Sequence, residues 1–398
     1  MYNTAAVAED ITYVGASDRR LSLFENVYPV PRGVSYNSYL LLDDKTVLFD
    51  TVDHAVSEQF LENVEHALAG RTLDYIVVHH MEPDHSSTLG EVLLRHPEAK
   101  VVCNQKISQM LGNYGCPVKE PLLVKEGDTL ETGKHTFKFI FAPMVHWPEV
   151  MMSCDVSTGA LFTADAFGTF GALGGSIWAD EVDFFHDYID EARRYYINIV
   201  GKYGAQVQAV LKKAAGLDIK YLLPLHGPLW RKDIGLFVEK YRIWSSYSPE
   251  EKGVAVFYGS IYGHTANAAE IVASRLAEKG VKVKVYDVSM TDTSVLVSEA
   301  FRFSHAVFAS ATYNNGIFVK MEEFLADLKA HAFQNRGYGI IENGSWAPQA
   351  GALMEGELSS LKNMRKLGKK VTILSSVKEE TREKLVALAD LIAEDVKA

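Results

Sequence analysis

Residues 79 to 85 hold three histidines, one glutamate and one aspartate, directly after the apolar run Tyr75 to Val78. The run has the composition of a buried strand, so the polar cluster is expected at that strand's end. Burying two carboxylates together is costly unless cations compensate their charge. A fold that keeps this segment inside therefore needs a cation there, and a bound metal ion would supply it.

The spacing of the cluster suggests how its side chains converge. Side chains two residues apart in an extended segment point the same way, so His80, Glu82 and Asp84 are expected to meet at one spot. His85 would reach a neighbouring spot, and Pro83 would restrain the irregular backbone by fixing its φ angle. His79 falls outside this pattern, which favours packing or the orientation of a neighbour.

Three further candidate ligands follow apolar, strand-like runs: His146, Asp165 and His226. With the cluster they make seven donors, which are too many for one tetrahedral zinc ion. Seven is the number expected for two metal ions that share a bridging carboxylate. The sequence therefore predicts a two-metal site.

The chain changes character in the polar stretch 245–253, which contains Pro249 and Gly253 and predicts a linker. We expect one domain over residues 1–249 and a second over residues 250–398. Before the linker, short apolar runs alternate with turns and amphipathic helical stretches such as 58–70 and 192–214, which indicates a layered α/β domain. After it, five strand-like runs alternate with helical patterns, which predicts a doubly wound parallel sheet.

The second domain opens with a strand-like run, a loop rich in glycine and hydroxyl groups, and a helical pattern. Backbone N–H groups at a helix start form an anion site, and this loop lacks the GKT ending and the GxGxxG pattern of other phosphate loops, which points to a single terminal phosphate. The loops after the third and fourth strands offer Tyr313 and Trp346 to cover a flat ring. The expected contact residues are Ser260, Ile261, Tyr262, Gly263, His264, Thr265, Thr312, Tyr313, Asn314, Asn315, Gly316, Asn343, Gly344, Ser345 and Trp346.

The motif His-x-Glu-x-Asp-His over residues 80–85 resembles the HxHxDH motif of the metallo-β-lactamase superfamily, with Glu82 in place of the second histidine. A carboxylate in place of an imidazole makes the site harder and more anionic, which favours iron over zinc. HxExDH joined to a flavodoxin-like phosphate loop is similar to the flavodiiron proteins, or A-type flavoproteins, over essentially the whole chain. The resemblance implies an N-terminal metallo-β-lactamase-like αββα sandwich and a C-terminal flavodoxin-like five-stranded parallel sheet.

The resemblance also implies cofactors and roles. His80, Glu82 and His146 would hold one iron; Asp84, His85 and His226 would hold the other; Asp165 would bridge them. In some family members the residue matching His85 is turned away from the metal. FMN would bind the second domain. Tyr195, on a predicted helix, is a candidate for a proton or hydrogen bond near iron, with core packing as the alternative.

The activity implied is the reduction of nitric oxide to nitrous oxide, of dioxygen to water, or of both, with electrons passed through FMN. Rubredoxin or its reductase would supply them, and a head-to-tail homodimer, or a tetramer of two such dimers, would bring flavin to iron. The ligand set leaves the choice between O2 and NO open. Two alternatives are a metal hydrolase of the lactamase superfamily fused to a flavodoxin module, and an electron carrier without catalytic activity.

Composition and charge argue against nucleic-acid-binding, membrane-spanning and disulfide-rich proteins. The net charge of −11, without a basic run, argues against nucleic-acid binding. No apolar stretch is long enough to span a bilayer, and the acidic N-terminal residues do not resemble a signal peptide, so we expect a cytoplasmic protein. The three cysteines, Cys103, Cys116 and Cys154, provide neither a disulfide framework nor a CxxC site.

Overall fold

The computed structural model describes all residues, 1–398, and divides them into two compact units, Met1–Arg242 and Ile243–Ala398. The division falls inside the helix Ile234–Ser245. The boundary expected from the sequence, between residues 249 and 250, follows this helix and stays a prediction. No helix in either unit combines the length and the apolar character needed to cross a membrane.

The first unit contains two large β-sheets and two two-stranded ribbons. In spatial order, the seven-stranded sheet consists of Ala5–Ala6, Ile11–Tyr13, Tyr39–Leu42, Thr46–Phe49, Tyr75–Val77, Lys100–Cys103 and Leu122–Leu123. The five-stranded sheet consists of Thr129–Glu131, Thr136–Phe141, Met151–Asp155, Ala160–Phe162 and Tyr221–Leu223. Two small ribbons pair Ala16–Asp18 with Val34–Tyr36 and Leu23–Phe24 with Tyr28–Pro29. Both larger sheets mix antiparallel and parallel pairs.

An aromatic layer joins the two larger sheets. Phe49 of the first sheet stacks on Phe162 of the second with ring centroids 4.0 Å apart, and it meets Phe137 at 5.0 Å. All three side chains are fully buried. Side chains that alternate along each strand thus fill a core between two stacked sheets, as in a sandwich.

Helices complete the first unit. Ser57–Leu68 buries the residues Phe60, Leu61, Val64 and Leu68 at helical spacing, and it ends where Ala69 adopts a left-handed φ of 49°. The other helices and helical turns are His54–Val56, Pro83–Ser86, Leu89–Arg95, Gln105–Asn113, Ala179–Glu181, Phe184–Asp187, Ile189–Tyr195, Tyr196–Val200, Gly201–Tyr203, Gly204–Ala214 and Ile234–Ser245, the last of which runs into the second unit.

The continuous helix expected over residues 192–214 is interrupted. A π-helical turn, Tyr196–Val200, and a short 3-10 turn, Gly201–Tyr203, separate the helices Ile189–Tyr195 and Gly204–Ala214. Within the π turn the Asn198 side chain donates a hydrogen bond to the Arg194 carbonyl at 2.8 Å. A side chain inserted into the helical hydrogen-bond ladder is a known cause of such breaks, and the glycines at 201 and 204 lower the helix propensity further.

The second unit is built on a parallel sheet. The strand order is Val283–Asp287, Glu251–Gly259, Phe303–Tyr313, Gly337–Asn343, and then a fifth position shared by Arg365–Lys366 and Val371–Ile373. All these pairs are parallel, and only the short strand Gly316–Ile317 runs antiparallel, against the end of Phe303–Tyr313. The helices are His264–Glu278, Thr293–Arg302, Val319–Ala330, Ala350–Ser359 and Glu379–Lys397.

The strand order reverses at the start of this sheet. From Glu251–Gly259 the chain first adds the strand Val283–Asp287 on one side and then the strand Phe303–Tyr313 on the other. The loops that follow Glu251–Gly259 and Phe303–Tyr313 therefore run in different directions from the carboxyl ends of these two strands. Helices His264–Glu278 and Glu379–Lys397 bury aliphatic side chains together with sheet residues such as Val256 and Ile341. The predicted α/β fold class with a doubly wound C-terminal sheet is confirmed, and ligands of such sheets bind at this reversal.

Candidate functional site

The predicted metal ligands of the first unit stand where strands end. His80 follows the strand Tyr75–Val77 of the seven-stranded sheet. His146, Asp165 and His226 follow Thr136–Phe141, Ala160–Phe162 and Tyr221–Leu223 of the five-stranded sheet. The structure therefore collects donors from both sheets at one place.

One group of donors contains His80, Glu82, His146 and Asp165, all buried. Glu82 Oε2 lies 3.2 Å from His80 Nε2 and 3.1 Å from His146 Nε2. Asp165 Oδ2 lies 3.0 Å from His146 Nε2 and 3.4 Å from His80 Nε2. Two imidazole nitrogens and two carboxylate oxygens thus face a common point.

A second group contains Asp84, His85 and His226, also buried. Asp84 Oδ2 lies 3.4 Å from His85 Nε2 and 3.3 Å from His226 Nε2. The two imidazole nitrogens face each other at 3.1 Å. In this structure His85 therefore points into the group of donors.

Asp165 connects the two groups. Its Oδ2 faces the first, while its Oδ1 lies 3.1 Å from His85 Nε2 and 3.8 Å from His226 Nε2 in the second. One carboxylate that offers an oxygen to each of two donor sets is the arrangement of a bridging ligand.

Asp84 does not lie with His80 and Glu82, contrary to the expectation for an extended segment. The chain turns into the short helix Pro83–Ser86, with Glu82 as its N-cap and proline at its first position. The turn ends the alternation of an extended segment, so Asp84 joins His85 and His226 rather than His80 and Glu82. Pro83 starts this helical turn as well as restraining the backbone.

The charges of the site balance each other. Burial alone would lower the pKa of His146, but hydrogen bonds with Asp165 and Glu82 raise it to about 9. Burial would raise the pKa of Asp165, yet His85, His80 and His146 hold it well below its usual range. The Asp165 carboxylate therefore favours its charged form, as a ligand to a cation requires.

The residues fit metal ions. Both carboxylate oxygens of Asp84 and Oδ1 of Asp165 are buried without a hydrogen-bond donor. Buried polar atoms are normally satisfied, and metal ions would satisfy these. The mixed carboxylate and imidazole set suits iron better than a set of imidazoles alone.

Two residues that the sequence did not single out hold the histidines in place. Glu149 Oε1 accepts hydrogen bonds from His80 Nδ1 at 2.8 Å and from the Met81 N–H at 3.0 Å. The carbonyl of Ser35 accepts from His226 Nδ1 at 2.8 Å. Both bonds place the ring proton on Nδ1 and turn the Nε2 lone pair toward the site.

His79 lies outside both donor groups. Its Nδ1 contacts Asp50 Oδ2 at 2.5 Å and its Nε2 contacts Ser153 Oγ at 2.8 Å. The ring also lies beside the stacked pair of Phe49 and Phe162, nearly parallel to both, with centroid distances of 6.0 Å and 6.2 Å. This buried network packs the core beneath the metal-ligand cluster.

A cavity of about 320 Å³ opens beside the donors, and Glu82, Pro83 and Asp84 form part of its wall. Loss of solvent around Glu25 and the neighbouring carboxylate of Glu82 raise the pKa of Glu25 to about 8. The other lining residues are Leu21, Leu23, Phe24, Asn26, Tyr36 and Asp53. A small molecule has access to the donors from this side.

The second unit has a larger cavity, of about 630 Å³, at the reversal of its sheet. Most of the expected cofactor contacts line it, and Gly263 and Gly316 do not. Ala311, Ala347 and Ser375, which the sequence did not suggest, also contribute. The wall consists of Ser260, Ile261, Tyr262, His264, Thr265, Ala311, Thr312, Tyr313, Asn314, Asn315, Asn343, Gly344, Ser345, Trp346, Ala347 and Ser375.

One end of this cavity suits a phosphate. Gly263, with a φ of 90°, precedes the helix His264–Glu278, and its N–H donates to Ser260 Oγ at 3.1 Å. A loop of this kind directs backbone N–H groups of the helix start into the cavity. Thr265, which is buried, adds a hydroxyl there.

The other end suits a flat ring. Tyr262 and Trp346 are each 89% exposed, which is unusual for large aromatic side chains unless a ligand covers them. Thr312 Oγ1 accepts the N–H groups of Gln349 at 3.0 Å and Ala350 at 3.2 Å. Since both lone pairs of this oxygen are used, its hydrogen is available to a bound molecule. The cavity therefore fits a ring-bearing phosphate ester such as FMN.

Comparison with family models and known sequences finds relatives of both units of the chain. Residues 34–227 match the model of the ODP family beta lactamase, and residues 256–372 match that of flavodoxin. Two curated relatives are anaerobic nitric oxide reductase flavorubredoxins. The one from Aeromonas hydrophila subsp. hydrophila is 32% identical over 85% of this chain and 70% of its own length. The one from Pectobacterium atrosepticum is 32% identical over 86% of this chain and 68% of its own length.

Solved structures of other proteins share the fold of this chain over nearly its whole length. Rubredoxin oxygen:oxidoreductase from Desulfovibrio gigas superposes with a TM-score of 0.93 at 26% identity and covers 99% of both chains. The flavodiiron protein from Giardia intestinalis gives a TM-score of 0.90 at 26% identity and covers 99% of this chain and 97% of its own.

The β-lactamase-like unit with its paired donor groups, the flavodoxin-like unit with its cavity and these likenesses lead to one conclusion. The chain belongs to the flavodiiron proteins, oxidoreductases whose cofactors are FMN and two iron ions.

Proposed function

We propose that the protein reduces nitric oxide to nitrous oxide, dioxygen to water, or both, at its diiron site. The observation that carries this proposal is the division of the two Asp165 oxygens between two donor groups. The relatives named above as nitric oxide reductases and as an oxygen:oxidoreductase support it. When bound, the iron ions supply open coordination positions and electrons for the gas, and FMN supplies the electrons that restore them.

We assign His80, Glu82 and His146 to one iron, Asp84, His85 and His226 to the other, and Asp165 to both. The distances between ligand atoms support the assignment, and Glu149 and Ser35 orient two of the histidines. The cavity beside Glu82 admits the substrate, and the ring of Phe24, 5.4 Å from that of His226, forms part of its apolar wall.

Tyr195 is the candidate for a hydrogen-bond or proton donor to the substrate. Its side chain is fully buried, its hydroxyl has no hydrogen-bond partner, and its ring centroid lies 5.5 Å from that of His226. Tyr195→Phe tests this role, because it keeps the packing and removes the hydroxyl. We expect a lower rate of gas consumption with unchanged iron content.

The assignment of FMN contacts extends to the residues predicted from the sequence. Ser260, Thr265 and the helix start would bind the phosphate, and Tyr262, Tyr313 and Trp346 would cover the ring. The remaining assigned contacts are Ile261, Gly263, His264, Thr312, Asn314, Asn315, Gly316, Asn343, Gly344 and Ser345. Thr265→Asp tests the phosphate end, since a negative charge there should repel FMN and leave the chain without flavin.

The central experiment measures NO and O2 consumption by the anaerobically reduced protein, with metal content determined on the same sample. We expect Asp165→Ala to lose iron and gas consumption while FMN is retained. Asp218→Ala, at an exposed position, is the control. Zinc in place of iron in the purified protein would favour the hydrolase alternative. A reduced diiron protein that consumes neither NO nor O2 would favour the electron-carrier alternative.

The motif itself gives a second test. Glu82→His restores the HxHxDH pattern and removes a carboxylate from the first donor group. We expect a higher zinc-to-iron ratio after expression with both metals supplied, because an imidazole-rich set favours zinc. An unchanged ratio would contradict the role assigned to Glu82.

We further propose a head-to-tail homodimer, or a tetramer of two such dimers, that receives electrons from a rubredoxin or rubredoxin reductase in the cytoplasm. Mixing subunits tests the arrangement. A dimer of one Asp165→Ala subunit and one Thr265→Asp subunit should show about half of the gas-consuming activity of the wild-type dimer. In this dimer the flavin of the first subunit would face the iron of the second. Electron transfer within one chain would leave the mixture inactive.

A further inference from the structure

Glu342 is a buried carboxylate at the edge of the flavin cavity. It is 1% exposed and stands in the strand Gly337–Asn343, next to Asn343, which lines the cavity. Its Oε1 accepts hydrogen bonds from Lys370 Nζ and from Thr372 Oγ1, the latter at 2.6 Å. Its Oε2 accepts the Gly351 N–H at 2.8 Å. Both oxygens are therefore engaged, and the neighbouring ammonium compensates the buried charge.

These contacts anchor the start of the helix Ala350–Ser359. The N–H groups at a helix start have no partner within the helix, and the side chain of the N-cap residue, Gln349, makes no capping bond. Thr312 accepts the N–H groups of Gln349 and Ala350, and Glu342 accepts that of Gly351. Side chains from two neighbouring strands thus cap the helix, and a carboxylate is also favoured there by the helix dipole.

The anchored helix start limits the conformations open to the loop that carries Trp346. Residues 344–348 span the gap between Asn343, whose Nδ2 donates to the Ser375 carbonyl at 3.0 Å, and the capped helix. The loop folds back closely, since a Cβ at Gly344 would lie 2.8 Å from the Cα of Pro348. With both ends held, the loop presents the exposed Trp346 ring to the cavity.

We propose that Glu342 is a positioning residue for the flavin: with Lys370 it holds the start of helix Ala350–Ser359 and so sets Trp346 against the ring of FMN. This inference rests on the proposed FMN site. A glutamine at this position would have one acceptor end and one donor end, so it could not receive hydrogen bonds from Lys370 and from Gly351 together. Burial would raise the pKa of Glu342, but Lys370 and Thr372 hold it below its usual value, which keeps the carboxylate charged.

Glu342→Gln and Lys370→Met test the inference in the holoprotein. Each should speed FMN release, followed as the rise of flavin fluorescence after dilution, by about tenfold, the effect of losing one charged hydrogen bond. Each should also change the visible circular dichroism of the bound flavin, a signal that reports how the ring is held. Lys369→Met removes the same charge from the adjacent exposed position and should match the wild type in both measurements.

Trp346→Leu separates this inference from the proposed site. If it perturbs release and circular dichroism while Glu342→Gln and Lys370→Met behave as wild type, the flavin site stands and the role of Glu342 is refuted. If Trp346→Leu also behaves as wild type, the loop does not contact the flavin, and both the ring contact assigned to Trp346 and the role of Glu342 are refuted. Should Glu342→Gln not fold, Lys370→Met, at a partly exposed position, carries the test alone.

Discussion

Glu149 acts on the metal site through His80 without being one of the assigned ligands. Its carboxylate is fully buried and holds both the ring Nδ1–H of His80 and the N–H of Met81. A histidine ligand held in this way keeps its orientation and becomes a stronger base toward the metal. The ligand geometry therefore depends on a residue in a loop after a strand of the other sheet.

We expect Glu149→Ala to weaken iron binding roughly 10- to 100-fold, the range found when such partners of metal-bound histidine are removed. Iron per chain after dialysis against graded chelator measures this. Glu120→Ala, at an exposed position, should keep wild-type iron content. Equal iron retention by the two variants would refute the role of Glu149.

The contrast between predicted and missed residues has a physical cause. His146, Asp165 and His226 could be predicted because each follows an apolar run, and active-site residues of α/β folds stand at strand ends. Glu149 carries no such signal, since its importance arises from a contact with a residue 69 positions earlier in the chain. Similarly, Ser35 contributes a backbone carbonyl, which any residue type possesses.

At the scale of elements, the turn after the strand Tyr221–Leu223 places His226. Gly227 adopts a φ of 76°, and a Cβ there would lie 2.1 Å from Thr169 Cγ2. Its N–H donates to Ser35 Oγ at 2.7 Å, while the carbonyl of Ser35 holds His226. Glycine is thus required by both conformation and space.

Gly227→Ala should destabilise the first unit by roughly 1–3 kcal/mol, the usual cost of strain at such a position, and lower the iron content by displacing His226. Gly216→Ala is a matched control, because nothing lies within 4 Å of the Cβ that it would add. Chemical denaturation and metal analysis of both variants provide the measurements. Equal stability of the two variants would contradict this reading of the turn.

His135 contacts three aspartates that come from separate parts of the first unit. Its Nδ1 contacts Asp155 Oδ2 at 2.8 Å, its Nε2 contacts Asp10 Oδ2 at 3.3 Å, and its N–H donates to Asp43. Lys134 also contacts Asp10. Burial would lower the pKa of His135, but the hydrogen bonds with Asp155 and Asp10 raise it above its usual value of 6.5.

Because the pKa is raised in the folded state, protonated His135 contributes stability that is fully present below about pH 6.5 and is lost as the pH rises through the raised value. His135→Gln should therefore cost more stability near pH 6 than near pH 9. Thermal unfolding at the two pH values measures this, with His54→Gln, at an exposed position, as control. A larger loss at the higher pH would reverse the sign and refute the argument.

Most of the longer strands and most helices follow from hydrophobic period and composition. The break at Tyr196–Val200 does not, because its cause is a hydrogen bond from the Asn198 side chain to the Arg194 carbonyl, which competes with the regular ladder. The turn at Pro83 was missed for a related reason. Alternating ligand-type residues after a strand predict an extended segment, although proline suits the first position of a helix equally well.

At the scale of the whole molecule, the two cofactors belong to separate compact units. The assigned iron ligands lie in Met1–Arg242, and the assigned FMN contacts lie in Ile243–Ala398. A ligand stabilises the folded state that binds it, by an amount that grows with its concentration relative to its dissociation constant. Each cofactor should therefore stabilise its own unit.

Calorimetry of the holoprotein should show two transitions. Removal of iron by a chelator should lower the midpoint of one, and removal of FMN should lower the midpoint of the other, each by several degrees. Spectra of the flavin recorded during the scan identify its transition. A single transition that shifts equally with either treatment would contradict the assignment.

Asp165 has a consequence for how the site fills. The first iron to arrive would draw one oxygen of this side chain toward itself, fix the carboxylate plane and leave the other oxygen already directed at the vacant position. The second ion would then share a carboxylate whose charge the first already neutralises in part, so the affinities of the two positions would be linked through this one side chain. Loading of the two positions would therefore be one linked process, in which the loss of either ion changes how tightly the other is held.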